Sequence, residues 1–171
     1  MWANLKRSVY VELVRIAFNF WPCLRGAGGR VTYIAKDFSK LTVKLKFNWR
    51  TRNVVGTIFG GSLYASTDPF YMLMLMQILG KDYVVWDKGC TIKFKRPAKE
   101  TLYANFEITP AMVEKIKADV AQQNEITFTW PLQYKNKDGL VFTEFEKVLY
   151  VTRKDFYKEK LKLKKAATIA T

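Results

Sequence analysis

The sequence predicts an α+β fold in which one curled antiparallel sheet wraps around a long central helix. Three observations support this prediction. Six segments alternate between apolar and polar residues as strands do, residues 61–79 are apolar on nearly every side, and the elements follow the order helix, two strands, long helix, two strands, short helix, two strands. A helix that is apolar all round has to be buried, and an antiparallel sheet can bury it by curling around it.

The first element is an amphipathic helix over residues 2–20, which Trp21-Pro22 ends. Its apolar residues recur at steps of three and four: Trp2, Leu5, Val9, Leu13, Ile16 and Phe20. We expect this stripe to pack against the chain's own domain. A position on a membrane surface is the alternative.

The remaining elements follow from alternation and from turn residues. Strands are predicted over residues 30–35, 41–47, 83–96, 102–108, 125–134 and 141–151. The turn at residues 136–139 joins the last two strands into a hairpin. Within the central helix, Pro69 should cause a kink or a break. A short helix is predicted over residues 110–122, and the Lys-rich tail after Phe156 should fray.

Length and composition indicate one domain spanning residues 1–171. The chain has 171 residues, of which 49% are hydrophobic, so extensive disorder is not expected. We divide it into the N-terminal helix at 2–20, a core at about 26–155 and a basic tail at 157–171. The longest apolar run, residues 70–79, is too short to span a bilayer. No signal peptide is recognisable, and a cytoplasmic protein is expected.

Charge and residue usage limit the chemistry. The formal net charge is +14, which predicts attraction to nucleic acid, to an acidic membrane or to a phosphate-bearing small molecule. No RNA-binding or helix-turn-helix motif supports specific nucleic-acid binding. The chain contains no histidine, so histidine metal sites and Ser-His or Cys-His pairs are excluded. Its two cysteines do not form a disulfide framework or a zinc site. We therefore expect no metal and no cofactor.

Residues 53–68 contain the parts of an acyl-transfer site. Gly60-Gly61 open the apolar helix, Asp68 lies within it, and Asn53 lies just upstream. A helix N-terminus can hold an oxyanion, and a carboxylate can act as base or nucleophile. Each residue has a structural alternative: Asp68 can cap a helix that starts at Pro69, Asn53 can form a loop, and the glycines can permit close packing.

The same segment resembles the hotdog-fold acyl-CoA thioesterases of the phenylacetate-pathway type. Their signature has Asn, then His-Gly-Gly six residues later, then Asp nine residues after the His. This chain keeps every spacing, with Phe59 in place of the His. The blocks at 52–72 and 83–88 resemble the DUF4442 branch of these proteins more closely, and the resemblance covers roughly residues 10–155.

The resemblance implies a role for each residue of the signature. The Gly60 N–H would polarise the thioester carbonyl, Asp68 would activate water or attack directly, and Asn53 would orient the water or the substrate. Phe59 and Gly61 would shape the substrate pocket. Coenzyme A would be part of the substrate.

Helix geometry places the two main groups of this site on different chains. Gly60 and Asp68 are eight residues apart, which is ~12 Å along a continuous helix. One carbonyl cannot contact the Gly60 N–H and also be attacked by Asp68 of the same chain. We therefore predict a homodimer with sites at its interface, as the resemblance also implies. A dimer of such dimers is the alternative.

The resemblance also suggests roles for three further residues. Lys95 and Arg96 correspond to the region near the nucleotide in related enzymes, although a solvated strand face is the plainer interpretation. Asp87 falls where related enzymes carry a small hydroxyl that assists the site. A surface salt bridge from Asp87 to Lys88 or Lys93 is the interpretation that we favour.

The sequence leads to two principal hypotheses for function. The first is hydrolysis of an acyl-CoA thioester by a carboxylate at a dimer interface. The second is non-catalytic binding of acyl-CoA or fatty-acyl ligands, which the replacement of the His by Phe59 favours. A nucleic-acid or anionic-membrane binder driven by charge is a third class.

Overall fold

The computed structural model describes residues 2–169, and the surroundings of side chains over residues 6–163. The helices of this part are α1 (Trp2–Phe20), α2 (Pro22–Ala27), α3 (Gly60–Ala65), α4 (Phe70–Leu79), α5 (Pro110–Gln123) and α6 (Lys154–Ile169). The strands are β1 (Gly29–Ile34), β2 (Lys40–Leu45), β3 (Tyr83–Phe94), β4 (Leu102–Glu107), β5 (Glu125–Lys135) and β6 (Val141–Arg153). The predicted order of elements is confirmed, and α2 and α6 are additions to it.

One six-stranded sheet forms the body of the fold, in the order β1-β2-β4-β5-β6-β3. Every pair of neighbouring strands is antiparallel. The buried face of α4 packs on this sheet, where the ring centroids of Phe70 and Tyr71 lie 5.5 and 4.9 Å from that of Phe106 on β4. The prediction of an α+β fold with a curled antiparallel sheet around an apolar helix is confirmed.

The central helix is divided in two. Helix α3 ends at Ala65 and α4 begins at Phe70, so residues 66–69 form a turn that contains Pro69. The pyrrolidine ring lacks an N–H and clashes with the preceding helical turn, which explains why the chain breaks here rather than bends. Helix α4 is also not buried on every side, because Met76 is exposed.

Two side-chain hydrogen bonds attach this turn to the sheet. The Ser66 Oγ and the Tyr134 hydroxyl on β5 lie 2.7 Å apart, and both residues are fully buried. The carbonyl oxygen of Asp68 accepts a hydrogen bond of 3.0 Å from Lys147 Nζ on β6. The turn is thereby fixed against the end of β5 and the middle of β6.

Helix α1 packs with a different face from the one predicted. Its inward residues are Val11, Val14 and Phe18, and the Phe18 ring lies 5.7 Å from Phe70 in an edge-on contact. The Asn19 amide exchanges two 2.9 Å hydrogen bonds with the backbone of Val31 on β1. The predicted stripe of Val9, Leu13, Ile16 and Phe20 is exposed instead, so the expectation that it packs on the domain is wrong. The side chains of Trp2 and Leu5 lie outside the described residues.

The C-terminal segment is helical where we predicted a frayed tail. Helix α6 begins directly after β6, and the Asp155 carboxylate accepts a hydrogen bond from the amide of Phe156 in its first turn. Lys160 forms an ion pair with Glu125 at the start of β5. The ion pair ties the helix to the sheet, and residues 170–171 lie outside the described part. No helix within the described residues is long and apolar enough to cross a membrane.

Candidate functional site

A buried lysine on β6 lies at the centre of the most unusual group of side chains in the protein. Lys147 occupies the inward side of the strand, between the buried Phe145 and Leu149. Its side chain has almost no exposure. A lysine is almost never fully buried unless it has a partner, so its surroundings must stabilise the charge.

Those surroundings consist of two carboxyl groups, one carbonyl and one ring. Lys147 Nζ lies 3.0 Å from the carbonyl oxygen of Asp68 and 3.3 Å from its Oδ1. It lies 4.0 Å from Asp87 Oδ1 on β3 and 5.5 Å from the ring centroid of Tyr64 on α3. We call Tyr64, Asp68, Asp87 and Lys147 the lysine cluster. The cluster gathers residues from three distant parts of the chain.

The two carboxyl groups of the cluster differ in their environment. The Asp68 side chain is 46% exposed, whereas the Asp87 side chain is 20% exposed. The Oδ1 atom of Asp87 is buried and has no hydrogen-bond partner within the described residues, because 4.0 Å is too long for one. An unsatisfied buried acceptor is unusual in a native protein and calls for an explanation.

The burial of Asp87 moves its ionisation toward neutral pH. Burial raises the pKa of Asp87 to about 6, with Lys147 opposing the rise and Asp68 adding to it. Burial, followed by the charge of Asp68, raises the pKa of Tyr64 to about 12. A carboxyl group with a shifted pKa beside a second carboxylate is typical of functional sites.

The structure decides against two of the plainer interpretations. The N-cap residue of α4 is Pro69, and no side chain caps that helix. Asp68 therefore does not serve as its cap. Asp87 forms no ion pair with Lys88 or Lys93 within the described residues and lies near Lys147 instead. The prediction of a surface salt bridge for Asp87 is wrong.

Four other predicted site residues meet in a separate cleft. The cleft has a volume of about 650 Å³. Asn53, Gly60, Lys95 and Arg96 all line it. Its wall also includes Phe94, Leu63 and Lys99, which were not among the predicted site residues. Phe59, Gly61, Asp68 and Asp87 do not line this cleft.

The glycine pair is explained by two close approaches of aromatic rings. A Cβ atom on Gly60 would lie 2.9 Å from Cζ of Phe94, and one on Gly61 would lie 2.2 Å from Cε1 of Phe59. Gly60 is also the first residue of α3, whose first backbone hydrogen bond is donated by Leu63 to the carbonyl of Phe59. The amide of Gly60 is thus one of the donors that a helix start leaves without an internal acceptor.

Asn53 uses its side chain to close a loop. Its Oδ1 accepts a 3.0 Å hydrogen bond from the amide of Thr57, and its Nδ2 donates a 3.0 Å hydrogen bond to the Thr57 hydroxyl. These bonds are those of a loop-forming residue. The amide nitrogen carries a second hydrogen, which is the group of Asn53 that a ligand in the cleft could engage.

The basic residues of the cleft differ in their contacts. Lys95 lies 3.4 Å from Glu144, and Arg96 donates a 2.6 Å hydrogen bond to the carbonyl of Val141. Lys99 is exposed and pairs with no carboxylate within the described residues. Lys99 is therefore the cation of this cleft that is most available to an anion.

Strand β3 gives the distance between the cleft and the lysine cluster. Cys90 on β3 is the register partner of Lys147, and Phe94, which contacts Gly60, lies four residues further along. At about 3.3 Å per residue these two points of the strand are ~13 Å apart. The separation of ~12 Å predicted for Gly60 and Asp68 assumed a continuous helix. That helix is broken at residues 66–69, but strand β3 gives a similar separation.

Metal binding has no obvious location. Within the described residues, no group of three Cys, Asp or Glu side chains gathers in a way that could hold a metal ion.

Comparison with known families and structures defines the fold. The model of the DUF4442 family, a domain of unknown function, matches residues 11–151. No curated protein matches the chain. Among solved structures, the Pseudomonas aeruginosa protein PA5026, described as a probable thioesterase, is 15% identical, with 84% of this chain and 95% of that chain covered and a TM-score of 0.73.

Two further solved structures are similar to this chain in fold. The thioesterase HI1161 of Haemophilus influenzae is 12% identical, covering 83% of this chain and 90% of its own, with a TM-score of 0.60. The Escherichia coli PaaI protein, from the phenylacetic acid degradation operon, is 15% identical, covering 82% and 89%, with a TM-score of 0.56. At these identities the similarity establishes the hotdog fold alone.

Proposed function

The chain belongs to the DUF4442 family and has the hotdog fold, and from this premise we propose that it hydrolyses an acyl-CoA-like thioester. The observation that carries the proposal is the lysine cluster, in which the half-exposed carboxylate of Asp68 rests on a buried ammonium group beside a second carboxyl group. Solvent and substrate can reach Asp68, while Lys147 fixes its position. The fold of thioesterases supports the reaction type, and the cluster supports the choice of residue.

The proposed reaction is the addition of water to the thioester carbonyl. The Asp68 carboxylate takes a proton from the water as its oxygen bonds to the carbonyl carbon. The carbonyl oxygen becomes an oxyanion that the Gly60 amide stabilises. The C–S bond then breaks, the thiolate of coenzyme A leaves with the electron pair, and the proton on Asp68 returns to it. In a variant of this route, Asp68 attacks the carbonyl carbon directly and displaces the thiolate to form an anhydride, which water then hydrolyses.

We propose that each site is shared between two copies of the chain. The separation of ~13 Å along β3 keeps Gly60 and Asp68 of one chain apart. Strand β3 is an edge strand of 12 residues that exposes Trp86 and Phe94, and such an edge invites pairing with another strand. If two β3 strands pair antiparallel about Ile92, Phe94 of each copy lies opposite Cys90 of the other. The Gly60 of one copy then approaches the cluster of the other.

The cleft beside Gly60 is the proposed place for coenzyme A. Its phosphates would be bound by Lys99 and by Lys95, once Lys95 releases Glu144, and Arg96 borders the same space. Asn53 would orient the acyl carbonyl or the water from the loop that it closes. Coenzyme A enters as part of the substrate, and no separate cofactor is proposed. A dimer of dimers and a cytoplasmic location stay predictions.

A panel of acyl-CoA substrates tests the proposal. The purified chain should release free thiol from at least one of them, and Asp68→Asn should lower kcat by roughly 100-fold or more. Asp119→Asn is the matched control, because it removes an aspartate that pairs with Lys115 on the surface of α5. Turnover that is unchanged in Asp68→Asn would exclude the role given to this residue.

Chain mixing tests the shared site separately. Gly60→Pro removes the amide hydrogen at a helix position that tolerates proline, and the ring it meets, Phe94, is exposed and can move. Asp68→Asn and Gly60→Pro chains should each be inactive alone. After co-refolding, about a quarter of wild-type activity should return, since half of random dimers are mixed and each has one intact site. No recovery would mean that both groups act within one chain.

Non-catalytic binding of acyl-CoA is the second candidate function. One observation in its favour is Phe59, which stands where the related thioesterases carry a His. The other is the ion pair of Lys147 with Asp68, which can hold the turn in place without taking part in a reaction. A binder should show a thermal shift with acyl-CoA and no thiol release from any substrate of the panel.

A further inference from the structure

Helix α1 exposes a row of large apolar side chains that the fold does not use. Val9, Leu13, Ile16 and Phe20 are 53, 59, 40 and 68% exposed, and we call them the outer stripe. They follow one another at steps of three and four, so they share one face of the helix. The exposed Trp21 continues the row beyond its end.

The outer stripe is distinct from the surface that holds α1 in place. The opposite face carries Val11, Val14 and Phe18, which pack on the core, and Asn19, which bonds to β1. The outer stripe therefore adds nothing to the packing of this chain. A contiguous exposed apolar row on an otherwise well-packed helix indicates an interaction surface.

The charges around the outer stripe are mostly positive. The first 37 residues contain six Lys or Arg residues and two carboxylates: Glu12, which is paired with Arg15, and Asp37, which lies near Arg7. Lys6 shares the helix face of the stripe, three residues before Val9. Near the other end of α1, three arginines line one cleft together with Asn19, and none of them pairs with a carboxylate within the described residues: Arg25, Arg30 and Arg50.

We infer that α1 lies on the surface of an anionic phospholipid bilayer, with the outer stripe inserted among the acyl chains. A basic helix with one aliphatic face lies in the membrane interface in this way. Tryptophan favours the headgroup level, where Trp21 would lie. The positive charges at both ends of the stripe attract anionic headgroups.

The same charges argue against the other candidate occupant of this surface, a second copy of the chain. Two outer stripes packed face to face would bring the basic groups near the two ends of α1 in one copy toward those of the other. Like charges at an interface oppose association. An anionic surface complements both the apolar row and the cations beside it, and no substrate in the proposed catalytic site is required for this binding.

Vesicle flotation of the full chain tests the inference. We compare vesicles of phosphatidylcholine alone with vesicles of equal parts phosphatidylcholine and phosphatidylserine. The wild-type chain should float with the phosphatidylserine vesicles, less at high salt, and should bind phosphatidylcholine vesicles about tenfold more weakly. Leu13→Gln with Ile16→Gln should weaken binding to the anionic vesicles by about tenfold or more.

Two control measurements separate this result from its alternatives. Leu163→Gln removes a leucine from α6 that is more exposed than Leu13 or Ile16, and this variant should float as the wild type does. The circular dichroism of the Leu13 and Ile16 variant should match that of the wild type, because both positions are exposed. The inference is overturned if the wild-type chain does not float with anionic vesicles or if Leu13→Gln with Ile16→Gln floats unchanged. It is also overturned if sedimentation without lipid shows that the wild-type chain forms a larger oligomer than the Leu13→Gln with Ile16→Gln variant, since a second copy of the chain then covers the outer stripe.

Discussion

Replacing Lys147 by methionine should destabilise the protein in a way that depends on pH. The substitution keeps the apolar stem in its buried place on β6 and removes the ammonium group. The Asp68 carbonyl oxygen then loses the donor 3.0 Å away, and the buried Oδ1 of Asp87 loses the nearby cation. A carboxylate left without its cation in a buried position is strongly unfavourable.

The expected size follows from the two carboxyl groups. Removing one partner of a buried ion pair costs about 3–5 kcal/mol, but Asp68 is 46% exposed, so water replaces part of what it loses. Methionine also avoids the desolvation of the ammonium group. We expect a net loss of about 2–3 kcal/mol in the free energy of unfolding at pH 8.

Acidification should remove most of that loss. The pKa of Asp87 is raised to about 6 in the folded protein, above its ordinary value of 3.8, and Lys147 is the group that holds it from rising further. Without Lys147 the folded pKa is higher still. At pH 5 Asp87 is neutral in both folded proteins, so the missing cation matters little there. The difference between variant and wild type should shrink by about 2 kcal/mol between pH 8 and pH 5.

Urea unfolding at pH 8 and pH 5 measures this difference, with two further variants. Lys95→Met is the matched control, because it removes a lysine 3.4 Å from Glu144 at a site where the two side chains are 47 and 35% exposed. It should cost at most about 1 kcal/mol at either pH. Adding Asp87→Asn to Lys147→Met should restore stability at pH 8. A loss in Lys147→Met that is equal at both pH values and is not relieved by Asp87→Asn would refute the reasoning.

Two further predictions concern the same turn and cluster. Asp87→Asn alone should stabilise the protein at pH 8 by up to about 3 kcal/mol, because a pKa raised from 3.8 to about 6 makes ionisation of the folded state unfavourable. In urea titrations this gain in stability should fall as the pH drops from 6 to 4. A gain that is independent of pH would contradict the raised pKa of Asp87. Tyr134→Phe should cost about 1–2 kcal/mol, since the buried Ser66 hydroxyl loses the 2.7 Å contact but keeps the Ser62 carbonyl. Ser66→Ala with Tyr134→Phe should cost less than the sum of the single changes in thermal unfolding, and strict additivity would argue against the bond.

Strands and turns could be predicted from the sequence because their signals are local. The hairpin turn of residues 136–139 is one example: the Asn136 side chain accepts hydrogen bonds from Asp138 and Leu140, and Gly139 takes a positive φ of 85°. Pro69 is another, since its ring breaks the helix wherever that helix packs. In both cases the residues that determine the conformation lie within the segment itself.

The face that α1 turns inward could not be predicted in the same way. The helix carries two apolar rows, the outer stripe and the row of Val11, Val14 and Phe18. Both rows satisfy a helical period, and periodicity alone favours burial of the longer one. The choice depends on Phe70, more than 50 residues away, against which Phe18 packs. Periodicity contains no information about that partner.

The lysine cluster was missed for a related reason, although one signal was present. Lys147 alternates with Phe145 and Leu149 on a strand whose inward positions are otherwise apolar or small. A lysine in that phase indicates a buried cation. Its carboxylate partner Asp68 is 79 residues away in the chain, so the pair itself required the fold. The sequence motif identified Asp68 as a candidate catalytic residue, but it did not identify Lys147 as the group that holds the carboxylate in place.

The replacement of a His by Phe59 does not by itself convert an enzyme into a binder, because backbone contacts hold the start of α3. The amide of Phe59 donates a 2.8 Å hydrogen bond to the carbonyl of Thr51, and the amide of Ile58 donates one of 2.8 Å to the carbonyl of Ala98. The Phe59 ring is exposed and makes none of these bonds. The direction of the Gly60 amide is therefore set without any polar group at position 59. The Asp68 carboxylate, and not position 59, is therefore the group on which hydrolysis of a bound thioester depends.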